Sequence, residues 1–422
     1  MNVGQSFFVM DPVQILSEDF YLLIDDYIDR LHAAGEEVRF PGERELNCAR
    51  ESKQLGIPLA PETVKKLSKR GESLMTGIPE KATKPLLSYI AFLQLIGPIF
   101  VVLGHSLNGF DVHSGWWYVC TKEWIYLFHM PLFFMISGYL LLFNQKYRIS
   151  GYQDYFCFLL KKSRRLLLPY VVWNLVFLLP KMFFQPLLTD QAPKDVWQTV
   201  RLFFFPRQNI LGHTWFLLAL FLLYVCLPLW QWLFSQPRAV WYLALGAGVV
   251  LYMLPIKTEC LALSDLHRDL LFFLMGGVLA RTWDHAASFA RAWKRWWVWL
   301  GMMSVVTSVV SLVWYDHRQM QIFFWIPCTA ILLCFLSIGT TIDVLPKVVV
   351  SLASCSFGIY IMHWPIMLAV RLICVNGLGM GVGGSVACMI LCGWGLPVVL
   401  LYLLRRIGFV QRHVLFRDLL GV

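Results

Sequence analysis

The sequence predicts an all-α, polytopic membrane protein with about ten transmembrane helices, both termini in the cytoplasm and a small N-terminal helical soluble segment. Three observations predict this fold. Hydrophobic residues fill 58% of the 422 positions and charged residues only 15%, whereas soluble proteins carry roughly 25% charged residues. Apolar stretches of near-spanning length recur from residue 85 onward. Lys and Arg cluster between alternate stretches, as expected for cytoplasmic loops.

The N-terminal segment, residues 1–83, differs in composition from the rest of the chain. It carries 10 Lys/Arg and 14 Asp/Glu, whereas the remainder carries 26 and 12. The stretch SEDFYLLIDDYIDRL, residues 17–31, has the apolar spacing of a helix, with Ser17 as the N-cap. No catalytic motif is visible, so we expect a cytoplasmic helical segment that binds a protein partner or regulates the rest. The basic excess lies in the membrane part and indicates topology and contact with anionic lipids, not nucleic-acid binding.

Ten apolar runs from residue 85 onward are candidate membrane spans. Each is near the ~20 residues that a helix needs to cross a bilayer, although the sixth is short. These runs are 86–106, 124–143, 166–184, 214–233, 239–256, 269–282, 296–315, 321–340, 356–374 and 383–404.

The basic residues test this count of spans. They cluster at 65–84, 146–165, 281–295 and 405–417, and all four clusters fall on one side only if the number of spans is even. The positive-inside rule then places that side, and both termini, in the cytoplasm. The predicted organisation is a segment of unknown role (1–83), a ten-span membrane domain (84–405) and a short basic cytoplasmic tail (406–422).

Histidines concentrate at the predicted outer ends of the spans. His105 ends the first span, His129 and His213 begin the second and fourth on the same side, and His363 lies deeper, in the ninth. Ionisable groups at membrane depth are costly, so each is a candidate functional residue. The alternative is that each ring bonds a backbone carbonyl and merely packs. The cost argument favours a functional role for His105, and both interpretations stay open for His129 and His213.

Five motifs in a fixed order carry a family resemblance: VVLGHS, FHMPLFFMISGYLL, LLLPYVVWNLVF, GHTWFLLALFLLYVCLPL and SFGIYIMHWPI. Together they resemble the acyltransferase-3 family of integral membrane acyltransferases. The similarity is greatest to the subset of fucose 4-O-acetylase-like and surface-polysaccharide O-acetyltransferases. It extends over roughly residues 85–405.

The resemblance implies that the protein moves an acyl group, usually acetyl, from coenzyme A in the cytoplasm to a hydroxyl of an extracytoplasmic saccharide. Acetyl-CoA, or another acyl-CoA, is then a donor substrate rather than a permanently bound cofactor, and no metal site is expected. The implied location is a cell membrane, the bacterial inner or plasma membrane, crossed many times. The expected partners are the donor, the saccharide, membrane lipids and a protein that binds residues 1–83.

The family pairs a basic residue with a histidine eleven positions later. Here the histidine matches His105, and Gln94 occupies the basic position. Eleven helical residues advance about 16 Å and complete just over three turns, so both side chains share one face. The imidazole is suited to general-base catalysis on the acceptor hydroxyl. Gln94 keeps hydrogen bonding but not charge, so either another cation binds the donor or activity is altered or lost. The candidate cations, for which positive-inside placement is the competing account, are Lys161, Lys162, Arg164 and Arg165.

The remaining candidates surround the expected acceptor site. Tyr360 and His363 share a helix face, and Trp215 is placed to form an acceptor-site wall beside His213; structural networks and an interfacial aromatic belt are the alternatives. Glu123, predicted in an outer loop with Asp111, is placed to orient an imidazole. The predicted catalytic residues are His105, Glu123 and His363. The predicted donor-binding residues are Gln94, Lys161, Arg164 and Arg165. The predicted acceptor-binding residues are His129, His213, Trp215 and Tyr360.

Two other functions fit the same features. Ten spans with histidines and basic edges are also compatible with a transporter or flippase of a polar or lipid-linked metabolite, although the ordered motifs favour the enzyme. Because Gln94 replaces the family's basic residue, the protein could also be a family member that binds or assembles without catalysing transfer.

Overall fold

A computed structural model describes residues 80–108, 116–143, 151–183, 195–293, 324–339 and 345–407, with 301–306, 412–421 and a few single positions beside them. Residues 1–79 lie outside the described residues, and with them the predicted helix at 17–31. Nearly all described residues are helical, and none of them forms a β-strand. The all-α class predicted from the sequence is therefore confirmed.

The described helices are numbered here from the first to the last along the chain. In chain order they are α1 (Glu80–Ser106), α2 (Trp116–Phe143), α3 (Tyr152–Phe183), α4 (Val196–Phe204), α5 (Trp215–Val225), α6 (Leu227–Leu233), α7 (Arg238–Met253), α8 (Leu263–Arg281), α9 (Trp283–Ala292), α10 (Trp325–Gly339), α11 (Lys347–Ala353), α12 (Ser356–Arg371), α13 (Val382–Leu404) and α14 (Val414–Leu420). Short 3₁₀ turns at Pro206–Gln208 and Gly212–Thr214 precede α5, and a π-helical turn, Leu372–Gly377, continues α12.

Several of these helices are long and apolar enough to cross a membrane. Among the described residues they are α1 from Tyr89, α2 from Tyr118, α3, α12 with its π-helical turn, and α13. A sixth candidate is the pair formed by Gly212–Val225 and α6, which is bent by 57°. The protein is therefore a polytopic membrane protein. The predicted spans 239–256 and 321–340 correspond to the shorter apolar helices α7 and α10, and 296–315 lies largely outside the described residues. The total of ten spans stays a prediction.

Two helices begin earlier than the predicted spans, and the predicted loop position of Glu123 was wrong. The second span was expected from residue 124, but α2 begins at Trp116, so Glu123 lies in a helix and not in a loop. The third was expected from residue 166, but α3 begins at Tyr152 and includes residues 161–165. No Gly or Pro interrupts either extension, so the backbone continues its helical hydrogen bonding beyond the most apolar part of each span.

The most extensive helix contact joins α2 and α8. Gly138 of α2 and Gly276 of α8 lie where the helices cross, each against the backbone of the other helix. A Cβ atom at Gly138 would collide with the carbonyl of Phe273, and one at Gly276 with Met135 and Tyr139. Small residues permit such close helix approach in membrane proteins. The crossing therefore fixes α2, which carries His129, relative to α8.

Helix α1 packs against α2, α11, α12 and α13. Its end, which carries His105, therefore lies beside the helices that carry His129 and His363. The segment that carries His213 is held from α3, because the buried Asn174 donates to Thr214 Oγ1 at 3.0 Å and accepts from the Leu211 amide at 2.7 Å. A structural hydrogen-bonding role for this asparagine satisfies the rule that buried polar groups are paired.

Candidate active site

Four histidines from different parts of the chain meet at the end of α1. The ring centroid of His105 lies 5.2 Å from that of His363, 6.4 Å from that of His129 and 6.4 Å from that of His213. The His213 and His363 centroids are 5.0 Å apart. Two imidazolium charges at such separations would repel strongly. The protonation of any one ring is therefore coupled to that of the others.

The Nδ1 atom of His105 has two polar neighbours. The Tyr126 hydroxyl lies 3.3 Å away, and Nδ2 of Asn108 lies 3.4 Å away. Asn108 Nδ2 also donates to the Tyr126 hydroxyl oxygen at 2.5 Å. A ring nitrogen held in this way fixes the plane of the imidazole and directs which nitrogen carries its proton.

The other rings are held mainly through backbone carbonyls. Nδ1 of His129 lies 2.9 Å from the carbonyl of Ile125, and Nδ1 of His363 lies 3.1 Å from that of Ile359, each one helical turn earlier. Nε2 of His363 and both ring nitrogens of His213 are buried without a hydrogen-bond partner among the described residues. Buried polar atoms are normally paired, so these nitrogens are exceptions within the described part of the chain.

Tyr360 joins two parts of the cluster. Its hydroxyl donates to the backbone carbonyl of His213 at 2.5 Å, and its ring centroid lies 6.1 Å from that of His363. Tyr360 is 4% exposed, and its hydroxyl is engaged in this hydrogen bond. In this structure Tyr360 fixes the position of the His213 segment, whereas its predicted role in acceptor binding stays a prediction.

Trp215 packs between a cation and the apolar core. The guanidinium carbon of Arg207 lies 4.2 Å from the Trp215 ring centroid, and the Phe134 ring centroid lies 6.1 Å from it. Arg207 forms a bidentate pair with Asp265, with bonds of 3.0 and 2.5 Å. Partial burial lowers the pKa of Arg207, but the hydrogen bonds and charge of Asp265 outweigh this effect, so its pKa lies above the ordinary value. Trp215 therefore belongs to a fixed cation–aromatic stack beside His213.

A cavity of about 580 Å³ opens beside His105. This volume lies inside the range of roughly 300–1,000 Å³ typical of small-molecule sites. Its polar lining consists of His105, Asn108, Lys181 and Arg371, and the remaining lining is mainly apolar, including Trp364, whose ring centroid lies 5.1 Å from that of His105. The described residues that line this cavity do not include Trp215, His213 or Tyr360.

The predicted donor-binding residues are not brought together by any described contact. Gln94 is half-buried on α1, eleven residues before His105. Arg164 lies 3.8 Å from Asp418 of α14, and Lys162 lies over the Tyr224 ring at 4.3 Å. Lys161 and Arg165 are exposed on α3. These cations therefore have structural partners or face outward, and a donor-binding role for them stays a prediction.

Glu123 lies one helical turn before Tyr126 on α2, and the described neighbours of the His105 Nδ1 atom are Tyr126 and Asn108 instead. The predicted catalytic role of Glu123 stays a prediction. Within the described ranges, no group of three or more His, Cys, Asp or Glu residues has an arrangement that could hold a metal ion.

Sequence reasoning missed several residues of this site. Asn108 follows His105 by one turn, and Tyr126 precedes His129 by one turn, so i, i+3 spacing around the histidines was an available signal. Trp364 directly follows His363. Lys181 and Arg371 gave a weaker signal. Each is a cation near the end of a span, on the side of the membrane that the sequence predicts to be outside.

The described helices of spanning length, with histidines gathered beside a cavity, define an integral membrane protein with a candidate active site. Comparison with protein families narrows this class. The family model described as an acyltransferase domain matches residues 87–402. The chain therefore belongs to the acyltransferase-3 family and is a membrane acyltransferase. Comparisons with curated proteins and with solved structures gave no match.

Proposed function

We propose that this membrane acyltransferase transfers an acetyl group from coenzyme A, supplied from the cytoplasm, to a hydroxyl of an extracytoplasmic saccharide in a bacterial cell membrane. His105 is the general base. The observation that carries the proposal is the position of His105, which is both the histidine that lines the cavity and the one whose Nδ1 atom contacts Tyr126 and Asn108.

The arrangement supports a direct transfer. With its proton on Nδ1, the His105 ring donates to the Tyr126 oxygen and leaves Nε2 as the base. Nε2 removes the proton of the acceptor hydroxyl as its oxygen attacks the thioester carbonyl. The new ester C–O bond forms, the C–S bond breaks, and the imidazolium returns the proton to the departing thiolate.

The position of Gln94 supports entry of the donor from the opposite side of the bilayer. It lies eleven residues before His105 in the continuous helix α1, which separates the two by about 16 Å along the axis. A thioester that enters beside Gln94 has to reach across this distance to meet the imidazole. The long pantetheine arm of coenzyme A has the form needed for such a passage.

The test compares the parent with two histidine variants in nanodiscs. The full-length protein receives radiolabelled acetyl-CoA and a panel of saccharides, and labelled saccharide is counted. We expect His105→Gln to reduce transfer by about 10²–10⁴-fold, the usual contribution of general-base catalysis. His285→Gln, on the exposed surface of α9, is the matched control and should transfer at the parent rate. Full transfer by His105→Gln would contradict the proposal. In sealed proteoliposomes, saccharide movement across the bilayer without acetylation would favour the transporter.

A further inference from the structure

We propose that helix α14 is a displaceable plug between α3 and α12, and that it has to move aside before the acyl donor can reach His105. This inference rests on the proposed function, because it concerns how the donor enters the same site from the cytoplasm. It adds a regulatory contact to that function. The docked helix lowers the apparent affinity for the donor, because only molecules with α14 displaced can bind it.

Helix α14 is attached to α3 by two polar contacts. The indole Nε1 atom of Trp173 donates to the backbone carbonyl of Leu419 at 3.0 Å. The carboxylate of Asp418 lies 3.8 Å from the guanidinium group of Arg164. Arg164 and Trp173 are nine residues apart on α3, or about 14 Å along its axis. Helix α14 therefore covers this part of α3.

The end of α14 also contacts α12. The backbone carbonyl of Leu420 lies 2.8 Å from the position that a Cβ atom at Gly358 would occupy. A Cβ atom at Gly421 would lie 3.0 Å from the backbone nitrogen of Gly358 and against the ring of Phe357. Neighbouring residues of α14 thus touch α3 and α12 at the same time, which places the end of α14 in the gap between these two helices.

The gap that α14 occupies continues into the cavity beside His105. On α3, Phe177 lines the cavity, and its ring stacks on that of Trp173 with the centroids 5.8 Å apart. Phe177 is one turn, about 6 Å, beyond Trp173. On α12, Trp364 lines the cavity and is six residues, about 9 Å, beyond Gly358. Helix α14 and the cavity therefore occupy successive levels between the same two helices.

Basic residues mark the side of the membrane on which α14 lies. Arg164 is at this end of α3, and Arg405 donates to Ser354, which directly precedes α12. The positive-inside rule makes this end cytoplasmic. Helix α12 also packs against α1, so an entrance between α3 and α12 adjoins the helix that carries Gln94. A donor that enters here from the cytoplasm meets α14 before it meets His105.

The attachment of α14 is weak enough for a ligand to displace it. None of its seven residues is buried, and segments with few buried contacts open more readily than a packed core. The pair of Arg164 and Asp418 is partly open to solvent, where ion pairs contribute little to stability. Guanidinium groups bind phosphates as well as carboxylates. The phosphates of an acyl-CoA are therefore suited to compete with Asp418 for Arg164.

The first experiment locks α14 in place with a reversible disulfide between Phe357→Cys and Gly421→Cys. A Cβ atom at position 421 lies 3.2 Å from that of residue 357, close to the roughly 3.5–4.5 Å found in disulfides. Full-length protein in nanodiscs is oxidised with copper phenanthroline, which takes up the two electrons of the thiols. Mass spectrometry gives the linked fraction, and acetyl transfer is measured before and after reduction with a phosphine. We expect transfer to fall to the share of unlinked molecules and to return on reduction.

The two single cysteine variants, oxidised in the same way, are the controls and should keep their activity. Gly421→Cys also controls for the backbone at this residue, whose φ of 70° is left-handed and costs a non-glycine residue some stability. Full transfer by the linked molecules would overturn the inference, because the donor would then reach His105 without any movement of α14.

The second experiment weakens the docking of α14. Trp173→Phe removes the hydrogen bond to Leu419, and Asp418→Asn removes the ion pair with Arg164. We expect KM for acetyl-CoA to fall about fivefold in Trp173→Phe and about twofold in Asp418→Asn, with kcat unchanged. Trp173→Phe alters no charge, so electrostatic attraction of the donor cannot explain its effect. Arg417→Gln, exposed on the same helix, should keep the parent KM. An unchanged or higher KM in both docking variants would contradict the inference.

A third measurement does not depend on acyl transfer. If the parent acetylates no saccharide, the proposed function fails, and α14 is then judged by access to the cavity. Phe177→Cys is combined with Asp418→Asn, with Arg417→Gln or with neither, in vesicles that have their cytoplasmic face outward. A membrane-impermeant maleimide is added, and its reaction at position 177 is followed by mass spectrometry. We expect the fastest reaction in the Asp418→Asn variant, whereas equal rates in all three would show that α14 does not restrict entry.

Discussion

The contact between Tyr126 and His105 gives the sharpest test of how the base is held. Tyr126→Phe removes the hydroxyl that lies 3.3 Å from His105 Nδ1 and that accepts from Asn108 at 2.5 Å. A net hydrogen bond contributes about 0.5–1.5 kcal/mol. If the orienting bond acts in the transition state, a loss of about 1–1.5 kcal/mol lowers kcat by about 5- to 13-fold.

The assay is steady-state acetyl transfer, with KM for acetyl-CoA and the thermal midpoint measured on the same samples. We expect kcat to fall while KM and the midpoint change little, since α2 keeps its packing. Tyr89→Phe is the matched control, because its buried hydroxyl has no partner among the described residues and lies sixteen residues before His105 on α1. This variant should keep the parent kcat.

A double-mutant cycle with Asn108→Ala tests whether Tyr126 and Asn108 act as one unit. We expect the two losses in kcat to combine to less than their product, because Asn108 donates to the same Tyr126 oxygen that contacts His105 Nδ1. An unchanged kcat in Tyr126→Phe, with His105→Gln inactive, would refute the reasoning, since the base would then be aligned without this contact. A parallel fall in the thermal midpoint would mark the role of Tyr126 as structural.

Four further changes test the fold and the site. Gly138→Ala should destabilise the protein by about 1–3 kcal/mol through overpacking at the helix crossing, seen as a lower thermal midpoint, whereas Gly246→Ala, with open space around it, should not. Asn174→Ala should cost about 1–3 kcal/mol by leaving its buried partners unpaired, and a parent-like midpoint would refute this. Arg207→Lys loses the bidentate pair, but because its side chain is 46% exposed we expect less than about 1 kcal/mol and a smaller effect at high salt. Gln94→Arg should lower KM for acetyl-CoA about tenfold if this position meets the donor phosphates, and an unchanged KM would show that it does not.

The helical class and the histidines at the site were accessible from the sequence because both depend on local signals. Apolar runs of spanning length and histidines beside them are visible in a single stretch. The meeting of His105, His129, His213 and His363 in one cluster does not follow from these runs, because it depends on how α1, α2 and α12 pack. The family motifs predicted a shared site, whereas the distances between the histidine rings follow only from how the helices pack.

The errors and omissions also have physical causes. Hydropathy marks where a helix is apolar, not where its hydrogen bonding begins, so it predicts a loop at Glu123 although α2 includes this residue. Tyr126 resembles an ordinary interfacial aromatic residue in the sequence. Lys181 and Arg371 are 190 positions apart, and only the adjacent ends of α3 and α12 bring them to one cavity.

The crossing of α2 and α8 at Gly138 and Gly276 restricts where this protein can move. At that point main chain touches main chain, so no side-chain rotation can absorb sliding of one helix past the other. Any opening that admits a substrate must therefore occur away from this crossing. The part of α2 that carries Tyr126 and His129 is thereby fixed along its axis relative to α8, so substrate entry cannot depend on these two helices sliding past each other.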